Sequence, residues 1–231
     1  MRVAFVSRLL DLLFPRACVV CGRRLSVMEQ ALCVDCNRHL PRTQFHTDFY
    51  ENEMARRFWR RLPIERAYAL FFYHDHSRSA RILYAFKYGD RPDVARALGS
   101  LLAREVSQHG FFEGIDFVVP VPLAGKRERS RGYNQSEELA RGIAAVTGLS
   151  VETGIVRRTQ FEKSQTRLTF KERQANVEHA FALRRGRSAA GSHVLLVDDV
   201  VTSGSTLVSC GKELMRAGVA RISVISVAFT K

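Results

Sequence analysis

Long apolar runs, internal repeats, low-complexity stretches and surplus acid are all missing from this chain of 231 residues. No run approaches the roughly 20 apolar residues that cross a bilayer. The one apolar stretch near the start, VAFVSRLLDLLF at 3–14, is broken by Arg8 and Asp11, and no small-residue cleavage site follows it. It is too short for an anchor and a poor secretory signal, so a cytoplasmic location is expected. Its leucines, Leu9, Leu10, Leu12 and Leu13, can form an amphipathic helix that docks on the body or makes peripheral contact with a membrane surface. Without repeats, a solenoid is excluded. At 46% hydrophobic residues, the composition supports a real core rather than disorder. Acid is in deficit: 23 Asp and Glu stand against 36 Lys and Arg, a net charge of +13. That balance favours polyanionic partners such as pyrophosphates, nucleic acid or an anionic membrane, without choosing among them.

Cysteine is scarce, with five in all, but four fall into two matched pairs, Cys18-x-x-Cys21 and Cys33-x-x-Cys36. Each CxxC knuckle lets two thiolates reach one ion, and Gly22 eases the turn. Two knuckles read as a tetrahedral four-cysteine zinc site of structural type, with no open position for a substrate. Paired disulfides are the competing reading, and a reducing compartment disfavours them. Cys210 falls on the apolar face of a helix and is expected in the core.

These signals divide the chain into a zinc-ribbon module at 15–45, a basic linker at 46–66 and a larger domain at 67–231. The linker carries RRFWRR at 56–61, in which Trp59 can anchor the two modules together. Alternatively, the interleaved arginines and aromatics can stack on single-stranded nucleic acid. Beyond it, AYALFFYHD is a strand candidate. The trio His74, Asp75 and His76 at its end suits solvent better than a metal. Helices are expected over 79–88, from Pro92 through Val106, and from a Ser136 cap to Gly148. FVVPVPL at 117–123 is a strand entering a proline-stiffened turn. Strands alternating with helices indicate an α/β fold built on a parallel sheet.

The most informative stretch is VLLVDDVVTSGST, Val194–Thr206. Four apolar residues run into Asp198 and Asp199, and a small, hydroxyl-rich loop follows. Neighbouring sugar hydroxyls can donate to the carboxylates. The N–H groups of the loop, opening a helix, can hold a phosphate. After Thr206 the apolar side chains recur near helical spacing, Gly218 stops the helix, and Ile222, Val224, Ile225 and Val227 read as another buried strand. Such a βαβ unit binds ligands at the carboxyl ends of its strands.

Two further segments are rich in cations. Lys126, Arg127, Arg129 and Arg131 crowd the loop after VPVPL, where they can meet a pyrophosphate or simply be solvated. The polar stretch 157–181 can close over an anionic substrate or serve only as a surface connection.

Val194–Thr206 resembles the phosphoribosyl-pyrophosphate (PRPP) motif of type I phosphoribosyltransferases. The wider chain is similar to the ComF/GntX family. The matching elements run in family order: the paired CxxC knuckles, AFKYGD at 85–90, VPVPL at 119–123, RGYNQ at 131–135, and Arg157, Arg158, Thr159, Gln165, Arg173, Asn176 and Phe181. This resemblance implies a type I phosphoribosyltransferase-like parallel sheet with flanking helices, fused to the zinc ribbon. It implies Asp198 and Asp199 on the ribose, and Thr202, Ser203, Gly204, Ser205 and Thr206 on the 5′-phosphate. Charge and resemblance together put Lys87, Arg131 and Arg158 near the pyrophosphate, with Mg²⁺ accompanying PRPP. Asp198, Asp199 and Arg131 are the candidate catalytic residues. A link to DNA uptake is also implied, with single-stranded DNA and DNA import proteins as partners. No base-recognition motif identifies an acceptor, which leaves transferase and non-catalytic binding protein both open.

Overall fold

The computed structural model describes residues 16–125, 131–159, 180–184 and 189–231. The expectations placed on residues 3–14, on Lys126, Arg127 and Arg129, and on Gln165, Arg173 and Asn176 lie outside the described residues.

Short turns and one small helix, Val34–Arg38 (α1), hold the cysteine segment. Residues 41–43 then run antiparallel to the outer edge of the first strand, Ala67–Phe72 (β1), with Phe72 N donating to Pro41 O at 2.8 Å and Thr43 N to Leu70 O at 3.4 Å. This covers a sheet edge that would otherwise expose unpaired backbone groups. The Arg42 guanidinium reinforces the docking, reaching Asn37 Oδ1 at 2.8 Å and the Glu105 carboxylate at 3.3 Å.

Between these segments lies a four-residue helix, Glu53–Arg56 (α2), capped by the Asn52 side chain. Met54, Phe58 and Leu62 recur every four residues and are all buried. Phe58 is fully inside, whereas Trp59 is 55% exposed. The anchoring aromatic of RRFWRR is therefore Phe58 and not Trp59. The turn that follows α2 places Phe58 inward and Trp59 outward.

From β1 onward, strands and helices alternate. Ser77 caps Arg78–Tyr88 (α3), accepting from Ser79 N and Ala80 N. Pro92 opens Pro92–Ser107 (α4), where its missing N–H costs nothing. The chain continues through Phe117–Pro120 (β2), Gln135–Thr147 (α5) and Ser150–Val151 (β3). A small antiparallel pair, Val156–Arg158 (β4) with Phe181–Leu183 (β5), stands apart from the main sheet. His193–Val201 (β6), Ser205–Arg216 (α6) and Arg221–Phe229 (β7) complete the described elements.

The main sheet is parallel throughout, in the order β1-β7-β6-β2-β3. Its central strands β6 and β7 are near-continuous aliphatic runs, as burial on both faces requires. Helices α4 and α5 cross so closely at Gly142 that a Cβ there would sit 2.0 Å from Arg96 O. Ser100 Oγ donates to Gly142 O at 3.0 Å across the same contact.

One topological feature positions the site. From β2 the chain passes through α5 to β3 on one side, while from β6 it passes through α6 to β7 on the other. Between β2 and β6 the winding direction reverses, and a crevice opens at the carboxyl ends of those strands.

Candidate functional site

Strand β2 pairs with β6 only as far as Pro120 opposite Val197. Proline has no N–H to extend the ladder. One further bond, from Val121 N to Val197 O at 2.9 Å, closes it. On its other side β6 stays paired to β7 as far as Val201 opposite Phe229, with Asp198 opposite Ser226. The acidic pair thus lies within β6, where that strand has lost its β2 neighbour. Both residues are half-buried at the crevice.

The two carboxylates differ in their surroundings. Asp198 Oδ1 accepts from Ser136 Oγ at 3.1 Å and from Asp199 N at 2.9 Å. Burial and the neighbouring Asp199 charge nevertheless push the Asp198 carboxyl up to about 7, against the pull of these donors and of Lys87. Asp199 Oδ2 faces the Lys87 ammonium, from the last turn of α3, at 3.1 Å. One group is thus poised near neutrality beside a carboxylate with its own counter-charge.

Ser136 does not cap α5, contrary to expectation. Asn134 is the N-cap, its Oδ1 accepting from Ser136 N at 3.1 Å and its Nδ2 donating to Val121 O at 3.1 Å. The Ser136 hydroxyl is left to meet Asp198.

The loop after β6 leads into α6. Gly204 is the N-cap, in the left-handed region at φ 71°, and it has no side chain to satisfy the first N–H groups of the helix. A Cβ at this position would also lie 3.2 Å from the Phe58 ring. Ser203 Oγ and Ser205 Oγ are 3.0 Å apart; Thr202 is exposed and Thr206 half-buried. Ser205 N already donates to Ser203 Oγ at 3.4 Å; the N–H groups that follow it, the hydroxyls and the helix N-terminus together make an anion cradle.

The sequence reading missed Arg61 as a neighbour of this loop. Its Nη1 donates to Ser203 O at 2.6 Å and its Nη2 to Ser205 Oγ at 2.9 Å. The RRFWRR cluster was the available signal, but nothing local indicated where it packs.

The other candidate cations are less direct. Arg131 lies over the Tyr88 ring at 5.2 Å, adjacent in sequence to Lys87. Tyr133 hydroxyl donates to Phe86 O, tying the start of α5 to the same helix end. Arg158, on β4, lies over the Phe181 ring at 5.3 Å. The structure thus brings Asp198, Asp199 and Lys87 into contact, sets Arg131 beside α3, and leaves Arg158 on the small antiparallel pair. Cys210 is fully buried, as expected, and burial raises its thiol well above the usual range.

Apart from the crevice, the sulfur atoms of Cys18, Cys21, Cys33 and Cys36 all lie within 4.8 Å of one another. A tetrahedral ion with Zn–S bonds of about 2.3 Å needs sulfurs about 3.8 Å apart, and Cys21 Sγ and Cys33 Sγ are separated by 3.8 Å. Backbone N–H groups of Cys33 and Cys36 donate to the sulfurs of Cys18 and Cys33, each at 3.4 Å. Glu29 braces the loop, accepting from Ser26 N and Val34 N at 2.7 Å each. Four thiolates with this spacing fit a structural zinc ion. The His74, Asp75 and His76 trio forms no such group among the described residues.

Comparison with known proteins finds a match for each of the two parts of the chain. Residues 87–231 match the phosphoribosyl transferase domain, and residues 9–46 match the double zinc ribbon domain. The DNA utilization protein YhgH of Escherichia coli K12 is 30% identical over 90% of this chain and 87% of its own length. Competence protein F of Haemophilus influenzae is 26% identical over 91% of this chain and 96% of its own. Competence protein ComFC of Bacillus subtilis is 25% identical over 87% of this chain and 72% of its own.

Proposed function

This chain belongs to the phosphoribosyl transferase domain family, and we propose that its crevice binds PRPP or a closely related ribose phosphate in the service of DNA uptake or utilization. The observation that carries the reading is the acidic pair at the open end of β6, followed by the N-terminus of α6, whose N-cap Gly204 has no side chain to occupy it. Asp198 and Asp199 accept the ribose hydroxyls. Thr202, Ser203, Gly204, Ser205 and Thr206 take the 5′-phosphate through backbone N–H groups and hydroxyls. Lys87, already beside Asp199, turns to the pyrophosphate, with Arg131 and Arg158 as further cations.

For phosphoribosyl transfer, the bond from ribose C1 to pyrophosphate breaks with positive charge growing on the ring. Asp198 and Asp199 stabilise that charge, while Lys87 and Arg131 neutralise the leaving group. The carboxylate oxygens of Asp198 and Asp199 fit a hard cation; Mg²⁺ arriving with PRPP would be held by them and would supply additional neutralisation of the pyrophosphate. Zinc, on the four cysteines, is structural. No helix among the described residues is long and apolar enough to cross a membrane.

Calorimetry with PRPP and Mg²⁺ tests this reading. Binding is expected in the parent protein and absent in Asp198→Asn/Asp199→Asn; no binding in the parent sinks the assignment. Pyrophosphate release is then screened across nucleobases and amines to find an acceptor.

A second reading is an accessory protein of DNA import that binds nucleotides or single-stranded DNA without turnover. The relatives named for DNA utilization and competence favour it, as does the net charge of +13. PRPP binding with no pyrophosphate release from any acceptor is its expected signature.

A further inference from the structure

The RRFWRR segment is not absorbed by the ribose-phosphate reading. Tyr50, Trp59, Arg60, Arg61, Pro63 and Ile64 line an open groove of about 560 Å³. Because Phe58 is turned into the core, Trp59 is turned out, 55% exposed, and Tyr50 beside the same groove is 58% exposed. The Arg56 guanidinium lies over the Trp59 ring at 5.8 Å. Among the described residues, Arg56, Arg60 and Arg61 have no carboxylate partner, and Glu53 on the same helix is taken by Lys231 at 3.7 Å. Arg60 adopts a left-handed backbone at φ 59°, which is uncommon for a residue with a Cβ.

Two exposed rings and unneutralised guanidinium groups in one groove have the chemistry of nucleotide recognition. A base stacks by its π-face on indole or phenol, and its phosphate meets arginine. We propose that this groove is a second binding site, for a nucleotide unit whose base stacks on Trp59 and whose phosphate meets Arg60 and Arg61. The site goes beyond the ribose-phosphate reading and does not rest on Asp198 or Asp199. It does share a residue with the phosphate loop. Arg61 donates to Ser203 O, Ser205 Oγ and Arg57 O, which leaves two of the five guanidinium donors for a phosphate in the groove.

A nucleotide unit can come free or within a single strand, and one experiment separates these. Trp59 is the only tryptophan in the chain, so intrinsic tryptophan fluorescence reads the groove directly. The intact protein is titrated at low salt with AMP, with single-stranded oligothymidylate and with inorganic phosphate. Quenching by AMP and the strand supports a mononucleotide unit; quenching by the strand alone supports the same site filled by polymer. No response to either, or an equal response to inorganic phosphate, overturns the proposal.

Binding of the quenching ligand, carrying a dye, is then followed by polarisation in Tyr50→Ala, Trp59→Ala and Arg60→Ala. These side chains are exposed, so folding is retained, and each aromatic removed should weaken binding about tenfold or more. Unchanged affinity in all three refutes the site. The titration is repeated in Asp198→Asn/Asp199→Asn, where PRPP binding is lost on the first reading but groove binding should persist. Joint loss would place the base at the acidic pair and overturn the second site alone.

Discussion

Lys87 Nζ lies 3.1 Å from Asp199 Oδ2, joining the last turn of α3 to the acidic pair on β6. The two residues are 112 positions apart, and both side chains are largely shielded, at 22% and 16% exposure. A cation held this way offsets the like-charge repulsion between Asp198 and Asp199 before any ligand arrives. Substitution Lys87→Met should therefore act twice. It removes a partner for pyrophosphate, and it leaves the carboxylates less compensated. A charged hydrogen bond is worth about 1.5–3 kcal/mol, so PRPP affinity in calorimetry should fall about 10- to 100-fold. An unchanged isotherm would remove Lys87 from the site.

The Asp198 carboxyl, pushed up to about 7 by burial and then by the Asp199 charge, predicts a pH dependence with a definite sign. In the unfolded chain an aspartate ionises near 3.9. Between that pH and about 7 the folded protein holds a proton that the unfolded chain has lost. Stability should therefore fall as pH rises through this window, the reverse of the usual salt-bridged aspartate. Asp198→Asn removes the liability and should raise Tm above pH 7 by about 2–4 °C for each kcal/mol gained. Ribose hydroxyls donate best to the ionised carboxylate, so PRPP binding should release a proton near pH 7. Calorimetry in buffers of different ionisation enthalpy counts that proton, and zero release would contradict Asp198 as the ribose acceptor.

Much of this site was legible because its signals are local. Aliphatic residues ending in Asp198 and Asp199, then Gly204 and hydroxyls, occupy consecutive positions, and strand–loop–helix structure follows from them. The CxxC spacing likewise carries its own geometry. The unread parts depend on distant pairings. Ser136 reaches Asp198 across 62 residues, and Arg61 reaches Ser205 across 144. No periodicity records such contacts, and so Ser136 read as a helix cap and Arg61 as part of a basic linker. Trp59 is a different case. Met54, Phe58 and Leu62, four residues apart, are the buried positions, and Trp59 falls between them.

Gly204 combines two constraints, a left-handed backbone at φ 71° and a Phe58 ring 3.2 Å from where a Cβ would sit. Gly204→Ala incurs about 1–2 kcal/mol of backbone strain, together with displacement of a fully buried ring. Tm should drop by about 2–4 °C per kcal/mol. PRPP binding should weaken further than stability alone explains, because the N–H groups that open α6 shift with the loop. A variant with parent-like Tm and parent-like affinity would mean the loop tolerates a Cβ and the close approach to Phe58 is unimportant.

Cys33 serves two purposes, since its sulfur belongs to the four-cysteine cluster and also caps α1 by accepting from Cys36 N at 3.4 Å. Serine caps a helix well, so Cys33→Ser isolates the metal's contribution. Zinc content should fall, and limited proteolysis should open the segment before residue 41. The buried residues before residue 41 join the same core cluster as the sheet, but β6 and β7 are buried by their own neighbours in that sheet and should keep their hydrogen-exchange protection. One direct strut from the module toward the crevice is Arg81 of α3, whose Nη1 donates to Val20 O at 3.0 Å. Lys87 sits on that same helix two turns later, but Ser77 caps the helix and buried Ile82, Leu83 and Phe86 hold it against the core. The strut is therefore dispensable, and PRPP binding should survive Cys33→Ser largely intact. Loss of binding in a variant whose large domain stays folded would show that the zinc module positions α3, and with it the Lys87–Asp199 pair.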